Sequence, residues 1–378
     1  MRVIYTSAPK LAGAGMGYTA YQLALGIQEA GYLAKLICGY AAPNSIDPRL
    51  LRTFPLFKAI AWLSRDHTAI RDMIFDLIAA RCVDSSDIVQ GWSHQCLYTL
   101  RRAKKLGAVA FLERPSAHDV ALLELMTEEE NRFGYRRHDP ARRLGLRRGL
   151  DEYEIADFIT VPSEFSYDSM LARGIPEGKL ILNPYGVDID CFKPRPQEDK
   201  TFRALFVGNV ALHKGVPYLL DAWKQAHLPG AELVLAGRVA PNGKAILARY
   251  KDTSGIEAFG YVRDIARLYN SATMFVFPSL SEGSALVTYE ALASGLPVVT
   301  TPNSGSVVRD GKEGFLVPIR DVEALRERIV CLYQNPTLRA QMAEAARARA
   351  QEYTWEKSRR RLLDAYEGAL NQADNPGT

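Results

Sequence analysis

The sequence predicts an α/β fold of two doubly wound parallel-sheet domains, and three observations predict it. Short apolar runs alternate with segments of helical period in both halves of the chain, the pattern of a parallel sheet covered by helices on both faces. A stretch rich in Pro, Gly and Asp, Asn183–Lys200, lies between the halves and reads as a linker. At 378 residues the chain exceeds what one ordinary core supports, so two domains are expected.

In the first half the strand-like runs are Arg2–Thr6, Ala34–Ile37, Ile88–Gln90, Val109–Glu113, Phe158–Val161 and Leu180–Leu182. Helical periodicity marks Tyr18–Glu29, Gln95–Leu106 and Glu164–Arg173, two of them stopping near Gly31 and Gly174. Leu51–Ile78 sets Phe54, Phe57, Trp62 and Phe75 among basic residues. It reads as a core helix, with an interfacial or acceptor-binding face as the alternative. The second half repeats the pattern with strands at Arg203–Val207, Glu232–Ala236, Met274–Phe277 and Val298–Thr300. Ligands of such sheets bind at the carboxyl ends of the strands, so a cleft between the two domains is the expected site.

Composition narrows the function. A net charge of +4 is too small to argue for nucleic acid. Cys38, Cys82, Cys96, Cys191 and Cys331 are odd in number and scattered, which suits a reducing compartment without a disulfide framework or zinc site. Met1 leads straight into the first strand, so no signal peptide is expected, and no apolar run approaches the length of a membrane span. These features predict a cytosolic protein, or one held peripherally on a membrane.

The candidate chemistry centres on Ser281–Val299, which reads as a loop, a helix starting at Ser284 or nearby, a Gly-Pro stop and a buried strand. Glu282 falls in the loop and Glu290 two turns into the helix. Free backbone N–H groups near Ala285, Leu286 and Val287 would present the positive end of the helix dipole to a phosphate. A carboxylate on either side would accept hydrogen bonds from hydroxyls, so the whole suits a diphosphate between two hydroxyl-rich groups, a nucleotide sugar. A solvated helix glutamate is the plainer reading of Glu290. Lys214, just before a helix, is placed to meet the far end of that diphosphate; the plainer reading is a surface lysine.

Gly13-Ala14-Gly15-Met16-Gly17 follows the first strand, but Tyr18 replaces the last glycine of a dinucleotide fingerprint, and Ile37-Cys38-Gly39 offers no carboxylate for a ribose. An NAD site is not expected, although the loop can bring backbone close to a ligand. His118 leaves the carboxyl end of a strand, where a histidine is either a structural hydrogen-bond partner or part of the site. From Asn131 to Arg148 seven arginines stand against one acid, which fits a solvated loop or an anionic partner such as a phosphorylated acceptor or a membrane surface. Asp188-Ile189-Asp190 looks like a metal pair but sits in the linker and is discounted.

Several of these stretches occur together in order: Asn183-Pro184-Tyr185-Gly186-Val187-Asp188, Val207-Gly208 through Lys214-Gly215, Pro278-Ser279 through Glu290-Ala291, Gly295-Leu296-Pro297-Val298, Asp310-Gly311 and Gly314-Phe315, with Gly15, His118 and Val161-Pro162-Ser163 in the first half. So arranged, the chain resembles the retaining glycosyltransferases of glycosyltransferase family 4, which have the GT-B fold of two Rossmann-like domains with an interdomain cleft. The resemblance implies an acceptor-binding domain over residues 1–183, a nucleotide-sugar domain over 184–354, and a terminal helix over 355–378 that packs back on the first domain.

It also implies roles. Glu282 would contact the donor sugar, Glu290 the ribose, and Lys214 the departing diphosphate, cradled by backbone at Gly15 and at Leu286 and Val287. His118 would sit against the transferred sugar. No metal or other cofactor would be required beyond a UDP- or GDP-linked donor, and the product would keep its anomeric configuration. Asn209 stands where the family often has Arg, and Ser284-Ala285 where Phe-Gly is commoner. The function so implied is transfer of a hexose to a hydroxyl acceptor. The arginine-rich stretch Arg132–Arg148 adds the expectation of a polysaccharide, glycolipid or other lipid-linked or phosphorylated acceptor at an anionic inner membrane face. The alternatives are a nucleotide-sugar-binding protein without turnover, which Asn209 keeps open, and a GT-B epimerase, which the glutamate pair and Lys214 fit less well.

Overall fold

A computed structural model describes the chain except for residues 8–9, 55–56, 58–67, 136–139, 197–198, 200 and 375–378. The chain divides into two compact units. One holds Met1–Ala121, Arg136–Tyr185 and Trp355–Thr378, and the other Leu122–Tyr135 and Gly186–Thr354.

The first unit is built on β1 (Val3–Ser7), β2 (Leu33–Cys38), β3 (Leu51–Thr53), β4 (Ile88–Trp92), β5 (Val109–Glu113), β6 (Phe158–Val161) and β7 (Leu180–Leu182). The strands pair in parallel in the order β3-β2-β1-β4-β5-β6-β7. Every residue of β1 and β4 is buried, as expected of strands covered on both faces. Helices α1 (Met16–Glu29), α2 (Thr68–Arg81), α3 (Leu97–Lys105), α4 (Asp119–Arg132), α5 (Pro140–Ile155) and α6 (Glu164–Leu171) alternate with them.

The second unit repeats the scheme with β8 (Arg203–Val207), β9 (Glu232–Ala236), β10 (Ile256–Gly260), β11 (Met274–Phe277), β12 (Val298–Thr300) and β13 (Gly314–Leu316), all parallel, in the order β10-β9-β8-β11-β12-β13. Its helices are α7 (Val216–Ala226), α8 (Pro241–Ala248), α9 (Ile265–Asn270), α10 (Leu286–Ala293), α11 (Val322–Gln334) and α12 (Pro336–Gln351). Stacked Phe206, Phe277 and Phe275 run through its core.

The last helix, α13 (Trp355–Asp374), belongs to the first unit, where Leu362, Tyr366 and Ala369 join the core beneath β1 and β4. The Tyr366 hydroxyl donates to Gln90, and Arg359 donates to the Gln22 carbonyl at 2.9 Å and pairs with Glu29 at 2.7 Å. Gly26 makes the crossing with α1 feasible, since a Cβ there would lie 2.6 Å from the Arg359 side chain.

One boundary differs from the sequence reading, which placed residues 1–183 together. Leu122–Tyr135 groups with the second unit. Glu129 explains it: buried, it accepts from the Tyr218 hydroxyl at 2.7 Å and pairs with Arg320 at 2.8 Å, while Phe133 packs edge-on against Tyr218. Leu51–Ile78, read as a core helix, is not one element: Leu51–Thr53 pairs with β2 as the edge strand β3, and α2 starts at Thr68. Phe57 and Phe75 are core residues with ring centroids 5.5 Å apart, and Trp62 lies outside the described residues. Among the described residues no helix is long and apolar enough to cross a membrane.

Candidate functional site

In the second sheet β8 is flanked by β9 on one side and β11 on the other, so the chain's crossings diverge there. Ligands of open α/β sheets bind at such a point, above the carboxyl ends. The loops leaving β8 and β11 carry Lys214 and Glu282. Gly215, with φ of +70°, lets them touch, because a Cβ there would lie 1.9 Å from the Pro278 carbonyl oxygen. Leu280 N–H then donates to the His213 carbonyl at 3.0 Å, and the Ser279 hydroxyl to the same carbonyl at 3.2 Å.

Across this contact Lys214 Nζ pairs with Glu282 Oε1, which also accepts from Ser279 Oγ at 2.9 Å. The lysine stands 5.8 Å from the Phe277 ring centroid. Both side chains are mostly covered, 16% and 19% exposed, so their attraction is less screened than at an open surface. Burial, helped by the Lys214 charge, lowers the pKa of His213 to about 4, and the imidazole is neutral at pH 7. The Glu282 amide donates to the Asn303 carbonyl at 2.8 Å, which fixes the loop from β12's side.

Helix α10 starts at Leu286, with Val287 in its first turn. The sequence reading counted the Ala285 amide among the free donors. It is not free: it donates to the Ser304 carbonyl at 3.0 Å, because the loop after β12 folds against this corner. Leu286 and Val287 are the first-turn residues of the helix. Ser284, in place of the family's Phe, bonds the Tyr289 hydroxyl at 2.8 Å and the Gly305 carbonyl at 3.1 Å, so it ties the helix to its surroundings.

Glu290 lies on the second turn, and Tyr269 from α9 donates to its Oε2 at 2.8 Å. Desolvation raises the carboxyl pKa to about 7, the Tyr269 bond pulling only partly the other way. Tyr269 is buried, and its hydroxyl also reaches the Val287 carbonyl at 3.2 Å. No sequence motif marks this partner; only the fold brings a position 21 residues away under the glutamate. Asn209, one residue past Gly208, is exposed. Asp188 accepts the N–H groups of Asp190 and Cys191 at 3.0 and 2.9 Å and so caps a turn. Among the described residues no three His, Cys, Asp or Glu side chains cluster as a metal site.

In the first unit the corresponding divergence falls at β1, between β2 and β4. Gly15, with φ of +62°, precedes α1 in the loop after β1, and a Cβ there would meet nothing within 4 Å. His118 lies after β5 and is buried. Its Nδ1 accepts the Val120 N–H at 3.2 Å, its own N–H donates to Ser169 Oγ at 2.9 Å, and its ring leans on Tyr153 at 5.1 Å. The arginine-rich stretch is not uniform. Arg148 is buried and paired with Asp76 at 2.5 Å, with Glu152 at 3.9 Å, whereas Arg143 and Arg147 are exposed on α5 and Arg132 pairs with Glu128 at 3.7 Å. Arg136 and Arg137 lie outside the described residues. Sequence reasoning also missed His94 and Asp119, since no local pattern links positions on a loop and a helix 25 residues apart.

Two doubly wound Rossmann-like parallel sheets define the class: the GT-B fold. Solved structures share the architecture. Sucrose-phosphate synthase from Thermosynechococcus elongatus superposes with a TM-score of 0.72 over 98% of this chain and 99% of that one, at 19% identity. Anabaena HepE in complex with UDP and glucose gives 0.68 over 97% and 100%, at 16% identity. Residues 201–335 match the family model of glycosyl transferases group 1. A D-inositol 3-phosphate glycosyltransferase of Mycolicibacterium paratuberculosis is 30% identical over 295 residues, which is 70% of this chain and 65% of that relative's length. Over residues 201–335 the chain is similar to the group 1 glycosyl transferases, and its fold is GT-B.

Proposed function

We propose that the chain is a retaining glycosyltransferase that moves a hexose from a UDP- or GDP-linked donor to a hydroxyl acceptor, in polysaccharide or glycolipid synthesis. The observation that carries this reading is the meeting of Lys214 and Glu282 at the divergence point of the second sheet, with Glu290 on the helix that follows. In this reading the donor diphosphate takes the lysine's charge from Glu282. The carboxylate freed of it accepts hydrogen bonds from the sugar, and Glu290 accepts from the ribose. The developing charge of the reaction sits on the leaving diphosphate, where a positioned cation and the Leu286 and Val287 amides stabilise it most. Lys214 fills that role without a metal ion, so turnover is expected to survive EDTA. The roles of Gly15 and His118 rest on the family likeness alone.

The test is a thermal-shift panel of UDP-, GDP- and ADP-sugars followed by transfer assays with the selected donor. A ligand that binds the native state raises its melting temperature by mass action. D-inositol 3-phosphate, named for a relative, is the first acceptor to try. Selective stabilisation by one nucleotide sugar and transfer with retained configuration are expected. Stabilisation without any product would favour a binding protein without turnover, and no stabilisation by any member of the panel would refute the reading.

A further inference from the structure

The first unit holds a His–Asp pair that no role above uses. His94 lies in the loop after β4, the strand beside β1 at the divergence point of the first sheet. Its φ of +70° is left-handed, a conformation uncommon outside glycine, though His takes it more readily than most side chains, and one that clusters at ligand sites. The backbone is held there from both sides. Its N–H donates to Glu152 Oε2 at 2.5 Å, and its carbonyl accepts from Arg148 Nε at 3.3 Å.

The ring is held as well. His94 Nε2 lies 3.0 Å from Asp119 Oδ1. The same carboxylate pairs with Arg114 at 3.0 Å and accepts from the Tyr153 hydroxyl at 2.7 Å. Burial pushes the Asp119 carboxyl up, but Arg114, His94 and Tyr153 together hold it well below the usual carboxylate range. An ionised carboxylate only accepts, so Nε2 carries a ring proton, and it is the Nε2–H tautomer that leaves Nδ1 with a lone pair. Nδ1 takes no hydrogen bond among the described residues. Asp119 is buried while the His94 side chain is 34% exposed. Gly149 gives the pair its room, since a Cβ there would lie 2.2 Å from Asp119 Oδ2 and 3.0 Å from His94 Nε2.

We propose that His94 is an acceptor-binding residue of the first unit, its Nδ1 accepting a hydrogen bond from a hydroxyl of a sugar or polyol acceptor while Asp119 fixes the ring. This rests on the glycosyltransferase reading for the identity of the ligand. Asp119 is then a positioning residue, acting through the histidine.

Two substitutions separate binding from structure. The Asn carboxamide oxygen falls near the place of Nδ1 and tolerates the left-handed backbone, whereas the Gln amide nitrogen falls near Nε2 and keeps the bond to Asp119. The full chain, with 15N-labelled histidine and saturated with the nucleotide sugar that stabilises it, is titrated with D-inositol 3-phosphate, methyl α-D-glucopyranoside and glycerol. The expected results are an Nε2–H tautomer for His94, movement of its Nδ1 resonance with at least one probe, and binding of that probe within about threefold of wild type in His94→Asn but at least tenfold weaker in His94→Gln. Donor affinity is expected to be unchanged in both. Equal probe affinities in the two variants, the reverse ranking, an Nδ1–H tautomer, or no probe reaching the ring in a chain that binds its donor would each overturn the assignment. Failure to bind any nucleotide sugar would instead strike at the glycosyltransferase reading.

Discussion

The raised pKa of Glu290 makes donor binding dependent on pH in a direction that can be worked out. With the site empty, desolvation holds the carboxyl near 7, so about half of it is protonated at neutral pH. A carboxyl that must accept two ribose hydroxyls binds as the anion, and those donors restore its pKa toward the ordinary 4.5. Binding therefore releases a proton, and affinity rises with pH until the empty site is ionised. Protonation costs a factor of roughly 11 in affinity one unit below the free pKa and about 1.1 one unit above it, so donor should bind about tenfold, or ~1.4 kcal/mol, more weakly at about pH 6 than at about pH 8. Calorimetry with an intact nucleotide sugar, whose diphosphate does not titrate in this range, measures it, and buffers of different ionisation enthalpy count the proton. Tyr269→Phe removes the one bond that lowers the carboxyl pKa, so the midpoint should move up. Glu290→Gln should flatten the profile. A wild-type affinity that is level between those pH values, or that falls as pH rises, would refute the ribose assignment.

Two further outcomes are expected. Lys214→Ala should cut turnover by a factor of about 100 or more while weakening donor binding less, because the cation acts mainly on charge that develops as the diphosphate leaves; steady-state kinetics showing wild-type turnover would remove it from the mechanism. Charge reversal at Arg143 and Arg147 should weaken sedimentation with anionic liposomes by about 1 kcal/mol per residue at low salt. Arg148 has to be left intact in that experiment, since it is buried against Asp76. Indifference to both the charge reversal and salt would leave those arginines as a solvated helix face.

What was legible in the sequence follows from what shapes each feature. Central strands such as Val3–Ser7 and Met274–Phe277 are buried on both faces, so their composition alone announces them. Leu51–Thr53 and Ile256–Gly260 are edge strands with half-exposed, mixed residues, and only the neighbouring strand defines them. That Lys214 and Glu282 lie on loops over the same end of the sheet was legible, because loops leaving adjacent parallel strands converge; their direct ion pair was not, since the reading sets them at opposite ends of a diphosphate. Tyr269, Asp119 and Glu152 were not, because they reach their partners through packing between elements, which leaves no period or spacing. The arginine-rich stretch shows the limit of composition: Arg148 and Arg147 are chain neighbours, yet one is buried in an ion pair and the other faces solvent.

The return of α13 to the first unit has a consequence for how the chain is made. Leu362, Tyr366 and Ala369 fill the floor under strands that leave the ribosome more than 250 residues earlier, so the amino-terminal sheet waits for the carboxyl-terminal helix before its core can close. The second sheet draws its strands from one continuous stretch, Arg203–Leu316, and can mature while that wait continues. During synthesis the unit born first is thus the one finished last, and a nascent chain stopped just short of Trp355 would leave α1 with an uncovered apolar face for chaperones to hold.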